Sequence, residues 1–135
     1  MEGVTITLSE EKSMELFADA LANAVGIGYM SGYGLVFDCP EYDKFRKKLL
    51  STLTAGKSIC MEDVWMAALE GGSTLRFIDE ERDGDNTKSI TKADVCAKVS
   101  LMPIRNLTNL LEENGDVEDA DVLLQTVFFD KVIFG

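Results

Sequence analysis

Apolar and polar residues alternate from Val4 to Leu8, with Thr5 and Thr7 between Val4, Ile6 and Leu8. That is the two-residue period of a half-buried strand. The period then lengthens. After Ser9, which suits a helix cap, Met14, Phe17, Ala18, Leu21, Ala24 and Val25 recur at three- and four-residue spacing and predict a helix over residues 10–25. Glu10 and Glu11 sit in its first turn, where the helix dipole favours them. Gly26, Gly28, Gly32 and Gly34 punctuate the next stretch, ahead of the strand-like Tyr33–Phe37. A dinucleotide-binding loop needs such glycines after a strand and before a helix, the reverse of this order, so they read as a helix stop. Pro40 suits the first turn of a second helix, lined on one side by Tyr42, Phe45, Leu49, Leu50 and Leu53. A third helix begins at Ser58 or Cys60, with Met61, Val64, Trp65, Ala68 and Leu69 on its apolar face.

The stretch Gly71–Val99 reads as the nucleus of the chain. The Gly71-Gly72 pair ends a helix, Ser73–Ile78 runs out as a strand, the acidic turn Glu80–Asn86 reverses it, and Thr87–Ile90 returns. Thr91-Lys92-Ala93-Asp94 has the form of a capping box, with aspartate in place of glutamate. Val95, Cys96, Val99 and Met102 mark the inner face of the next helix, which Pro103 ends. Ile104, Leu107, Leu110 and Leu111 carry a short helix closed by Asn114-Gly115, and Val117, Ala120, Leu123, Leu124, Val127 and Phe128 carry the last one. The apolar ending FFDKVIFG docks into the body, either by continuing that helix or by adding a short strand. No repeat or linker interrupts the pattern, so residues 1–135 read as a single α+β domain. Its small, mostly antiparallel sheet has about three to four strands, including the 73–90 hairpin, packed by about six helices.

Charge narrows the function classes. Twenty-four acidic against thirteen basic residues give a net charge of −11, which repels nucleic acid backbones and anionic membranes and favours a protein partner with a basic surface. No apolar run approaches the roughly 20 residues that cross a bilayer, and no basic-then-apolar signal peptide opens the chain, so a cytoplasmic location is expected. Cys39, Cys60 and Cys96 are odd in number and far apart, as suits reduced thiols. Histidine is absent, which removes the usual general base, the Ser-His and Cys-His pairs and the commonest zinc ligand. The one basic cluster is Lys44, Arg46, Lys47 and Lys48. Residues 40–57 carry five basic and two acidic side chains, net +3, which in so acidic a chain are expected to be neutralised by its own carboxylates.

The remaining motifs fall short of a chemistry. Gly56-Lys57-Ser58 ends like a phosphate-binding loop, but Ser51 stands where the motif needs its first glycine. Asp79, Glu81, Asp83 and Asp85, with Gly84, half-resemble a calcium loop. Ile90 replaces its bidentate glutamate, so a solvated turn is the better reading. Cys60 lies near a helix N-terminus, where a thiolate is favoured, but Glu62 and Asp63 oppose that charge. Trp65, mid-stripe, reads as core. No catalytic, cofactor or metal residue is assigned. The acidic turn, with Asp79, Glu80, Glu81, Asp83 and Asp85, and the cluster Glu112, Glu113, Asp116, Glu118, Asp119 and Asp121 are instead the candidate partner-binding residues.

The segments GGSTLRFIDEE, SITKADV and ADVLLQTVFFDKVIFG resemble a family of small acidic proteins of unknown function, encoded by phage and mobile elements of gut bacteria. The resemblance covers the C-terminal half well and the N-terminal half loosely, through the helix after Ser9 and the EDVW around Trp65. It implies a bacterial cell as the setting and carries over no functional residue. Three functions are expected in order of preference: a non-enzymatic interaction protein binding a basic, nucleic-acid-handling host protein; a structural or assembly subunit; and an enzyme working through carboxylates or a metal ion.

Overall fold

In chain order the elements are α1 (Glu10–Gly26), β1 (Leu35–Asp38), α2 (Tyr42–Leu50), α3 (Met61–Glu70), β2 (Leu75–Asp79), β3 (Lys88–Ile90), α4 (Lys92–Lys98), α5 (Ile104–Leu111) and α6 (Val117–Phe129), with a 3-10 turn at Val99–Leu101. The computed structural model describes residues 7–26, 35–53, 58–81 and 87–133. The α+β reading holds: six helices accompany a three-stranded antiparallel sheet of order β1-β2-β3 among these residues. The expected strand at Val4–Leu8 falls mostly outside them, and Thr7 to Ser9 are irregular.

Local chemistry starts four of the six helices among the described residues where the periodicity places them. Ser9 Oγ accepts from the Lys12 N–H at 3.0 Å and caps α1. Three later helices share one device, an aspartate three residues into the start whose carboxylate accepts the N–H of the residue before the helix. The pairs are Cys60 with Asp63 at 3.2 Å, Thr91 with Asp94 at 2.9 Å, and Asp116 with Asp119 at 3.0 Å. Helix α3 ends through Gly72, whose φ of +86° lets the Ser73 N–H reach back to the Ala68 carbonyl at 2.8 Å. The preceding Gly71 has another reason to lack a side chain: a Cβ there would lie 2.4 Å from Phe45 Cε1 on α2.

The centre of the molecule is α6, not the Gly71–Val99 stretch that the sequence pattern favours. From Asp119 to Phe129 every residue but Val122 is buried, so α6 is enclosed on all sides instead of presenting one apolar stripe. Helix α1 packs along it, bringing the Phe17 ring to 6.5 Å from that of Phe128. The sheet lies against another side. Its register sets Phe37 opposite Phe77 and Leu75 opposite Ile90, which puts these side chains on one face. Phe77 stacks on Phe37 at 4.3 Å and meets Phe128 at 4.8 Å, while Trp65 of α3 closes on Phe37 at 4.8 Å, confirming its core role. On the opposite face Arg76 bridges strands by an ion pair with Asp38.

The C-terminal segment follows the helical alternative only at its start, and its last two residues lie outside the described ones. Phe128 and Phe129 finish α6, and Asp130 ends it in the left-handed conformation (φ 68°). Residues 131–133 then fold back without forming a strand, held where the Ile133 N–H donates to Gln125 Oε1 at 2.7 Å. Among the described residues no helix is long and apolar enough to cross a membrane.

Two substitutions test this packing. Phe77→Ala, which empties the junction of sheet and central helix, is expected to cost about 3–5 kcal/mol in urea unfolding. Ser13 is fully buried on α1 and its Oγ has no hydrogen-bond partner among the described residues. Ser13→Ala removes an unsatisfied hydroxyl at nearly constant volume and is expected to raise stability by about 1 kcal/mol in the same measurement.

Candidate functional site

The two acidic stretches divide into carboxylates that build the fold and carboxylates that face water. Asp79, at the end of β2, is 2% exposed. Its Oδ1 accepts the Glu81 N–H at 3.1 Å, and its own N–H donates to Thr87 Oγ1 at 3.0 Å across the hairpin. Such a side-chain-to-backbone bond two residues on is how aspartate starts a turn. Glu80 and Glu81 are exposed, whereas Asp83 and Asp85 lie outside the described residues.

The second cluster divides in the same way. Asp119 and Asp121 are buried, at 4% and 5% exposure, while Glu112, Glu113, Asp116 and Glu118 are exposed. Asp79, Asp119 and Asp121 therefore leave the set of surface docking residues, because each carboxylate is turned inward. Asp119 Oδ1 accepts from Asn106 Nδ2 at 2.8 Å and from Asn109 Nδ2 at 3.4 Å, both on α5, while Oδ2 accepts the Asp116 N–H. One carboxylate thus ties α5, the turn and the start of α6 together. Burial alone pushes its pKa up, but the hydrogen bonds from Asn106, the Asp116 backbone and Asn109 outweigh that and hold it below its ordinary value. Asp121 accepts from Gln125 Nε2 at 3.0 Å one turn further along, and the same amide's oxygen fixes Ile133.

Around this lock the surface is a polar depression of about 230 Å³, lined by Arg105, Asn106, Asn109, Asp116 and Glu118 as well as Asp119. The α5–α6 turn that frames it is rigidly made. Glu113 adopts the left-handed conformation (φ 60°), and the Asn114 N–H reaches the Asn109 carbonyl at 2.8 Å. Among the described residues, Glu112, Glu113, Asp116 and Glu118 form no ion pair, and no three carboxylates or thiols come together as metal ligands.

The basic cluster departs from expectation. Among the described residues only Lys44 makes an ion pair, with Glu41 just before its own helix at 3.9 Å, while Arg46, Lys47 and Lys48 are exposed and make none. Among the described residues the chain's own acids do not neutralise it. Asp43, on the same helix, makes no ion pair with it either, and on α3 Glu70 is taken by Lys92 at 2.8 Å while Asp63 accepts the Cys60 N–H.

The thiols are quiet. Asp63 accepts a hydrogen bond from Cys60 Sγ at 3.1 Å and pushes that thiol's pKa up, so the carboxylate overrides the pull of the helix N-terminus. Burial raises Cys39 and Cys96 as well, and all three cysteines are free.

No known family model matches the chain, and neither a curated protein nor a solved structure matches it.

The Asp119 lock is tested by pH. Because its folded pKa lies below the unfolded one, the stability it contributes is complete above the ordinary aspartate value, about 3.9, and is lost as pH falls through that value toward the folded pKa. The wild-type urea midpoint is therefore expected to drop as pH falls below about 4 more steeply than that of Asp119→Asn. At neutral pH the variant is expected to be weaker by about 1–3 kcal/mol, since an amide cannot accept on both sides as the carboxylate does.

Proposed function

We propose that this chain is a non-enzymatic interaction protein that presents acidic surface to a protein partner with a basic face. On this reading it is made inside a bacterial cell by a phage or mobile element, and the partner is a nucleic-acid-handling protein of the host. The observation that carries the proposal is the row of exposed carboxylates Glu112, Glu113, Asp116 and Glu118, without ion pairs among the described residues, on the turn that Asp119 rigidifies. Unpaired charges set on a fixed backbone lose little entropy on binding, and their field steers a basic partner inward. Glu80 and Glu81 on the hairpin add to the same sign of field. The resemblance to small acidic proteins of phage and mobile elements supplies the setting.

A structural or assembly role is the second reading. It draws on Leu101, 70% exposed in the 3-10 turn, and on Ile104 beside it at the start of α5, apolar side chains turned to water as in a contact between subunits.

Affinity capture from the host with mass spectrometry separates the two, using wild type and a variant carrying Glu112→Gln, Glu113→Gln, Asp116→Asn and Glu118→Gln. Asparagine at 116 keeps a good helix cap, so the fold is expected to survive. Wild type is expected to retain a Lys/Arg-rich protein that leaves as salt rises to about 500 mM, where screening confines charge to about 4 Å, and the variant to retain none. Equal retention by both proteins, or retention indifferent to salt, would falsify the proposal.

A further inference from the structure

A trough runs between α2 and α3, away from the acidic turn. Two adjoining depressions of about 280 and 370 Å³ share Leu49, Ala67 and Glu70, so they form one continuous feature. Phe45 and Gly71 lie at one end, Leu53 and Ile59 at the other, and Met66 adds to an apolar floor. With α2 of nine residues and α3 of ten, the trough is about 14 Å long, the length of a two- to three-turn helix.

The two walls differ in charge still available. On the α3 side Glu70 is paired with Lys92, while Asp63 keeps its negative charge and accepts only from the neutral N–H and thiol of Cys60. On the α2 side Lys48 lines the trough with no ion-pair partner among the described residues, Lys47 lies beside it, and Lys44 is one turn away with only Glu41 at 3.9 Å. The α2 wall of this groove is therefore its positive side, on a protein of net charge −11.

We propose that the α2–α3 trough is a docking groove for an acidic amphipathic helix of a partner protein. Its apolar side chains, spaced i, i+3 or i+4, and i+7, would enter between Leu49 and Ala67, with its carboxylates against Lys44, Lys47 and Lys48. Apolar contact supplies the affinity, and the α2 cations set the orientation and reject a basic helix, whose charges would face them unpaired. This surface is independent of the carboxylates around the α5–α6 turn, so the two proposals stand or fall separately.

The test is fluorescence anisotropy on the full chain with a labelled twelve-residue helix-forming peptide. It carries leucines at that helical spacing and glutamates along one flank. The controls replace glutamate by lysine, or scramble the leucine spacing at constant composition. The acidic peptide is expected to bind at least about tenfold more tightly than either control, and Lys47→Glu with Lys48→Glu to remove at least that factor. Both lysines are exposed, so that variant is expected to keep the wild-type circular dichroism, with a thermal midpoint only slightly lowered by two acids in the last turn of α2. Ala67→Met, which fills the trough without altering charge, is expected to abolish binding.

Equal affinity for the scrambled peptide would reduce the effect to bulk charge and overturn the groove. Undiminished binding by the double variant would do the same. Tighter binding of a DNA oligonucleotide than of the peptide would overturn the acidic helix as occupant. So would sedimentation showing a dimer of the free chain that the double variant dissolves.

Discussion

A helix enclosed on every side has no solvent to satisfy its polar groups, and that constraint shapes the interior of this protein. Helix α6 carries Asp119, Asp121, Gln125 and Thr126 within its buried span, and desolvating such groups without partners costs several kcal/mol each. Each finds a hydrogen bond within the fold: the α5 amides for Asp119, Gln125 for Asp121, the Ile133 backbone for Gln125, and the Val122 carbonyl for the Thr126 hydroxyl. The positions of α5 and of the C-terminal strap are thus the geometry that lets this helix occupy the centre.

The aromatic contacts depend on that placement. Phe128 and Phe129 project from the last turn of α6 into the sheet, where Phe77 meets both rings. Hydrophobic burial supplies most of the stabilisation, and the polar bonds select the rotation of α6 that makes it available.

Much of this is legible in the sequence where periodicity speaks. The helices at 10–25 and from Val117, the hairpin beginning at Ser73, the capping box at Thr91 and the buried Trp65 all follow from spacing. One expectation that fails is that the acids of the two clusters stay in water. Asp119 and Asp121 look like any other carboxylates in a run of six between Glu112 and Asp121, and the burial of Asp119 depends on Asn106 and Asn109, thirteen and ten residues before it. One signal is present: Asp116-Val117-Glu118-Asp119 repeats the spacing of Thr91-Lys92-Ala93-Asp94, and a carboxylate that closes a capping box is drawn toward the backbone. The open face of α2 is not legible, because net charge says nothing about where opposite signs lie in space. The centrality of α6 is hidden for a related reason. A helix with polar residues on more than one face reads as amphipathic until its partners are known.

The contact between Gly71 and Phe45 has a bearing on how such a chain varies over generations. A ring edge rests directly on bare backbone, so the distance between α2 and α3 is fixed by the absence of a single methyl group. That residue lines the trough at one end yet presents no side chain to it. A mutation to alanine would act as a wedge, altering the width of the crevice while leaving every charge on its rims in place. Shape and polarity at this surface are therefore under separate genetic control, and a lineage can retune one without disturbing the other.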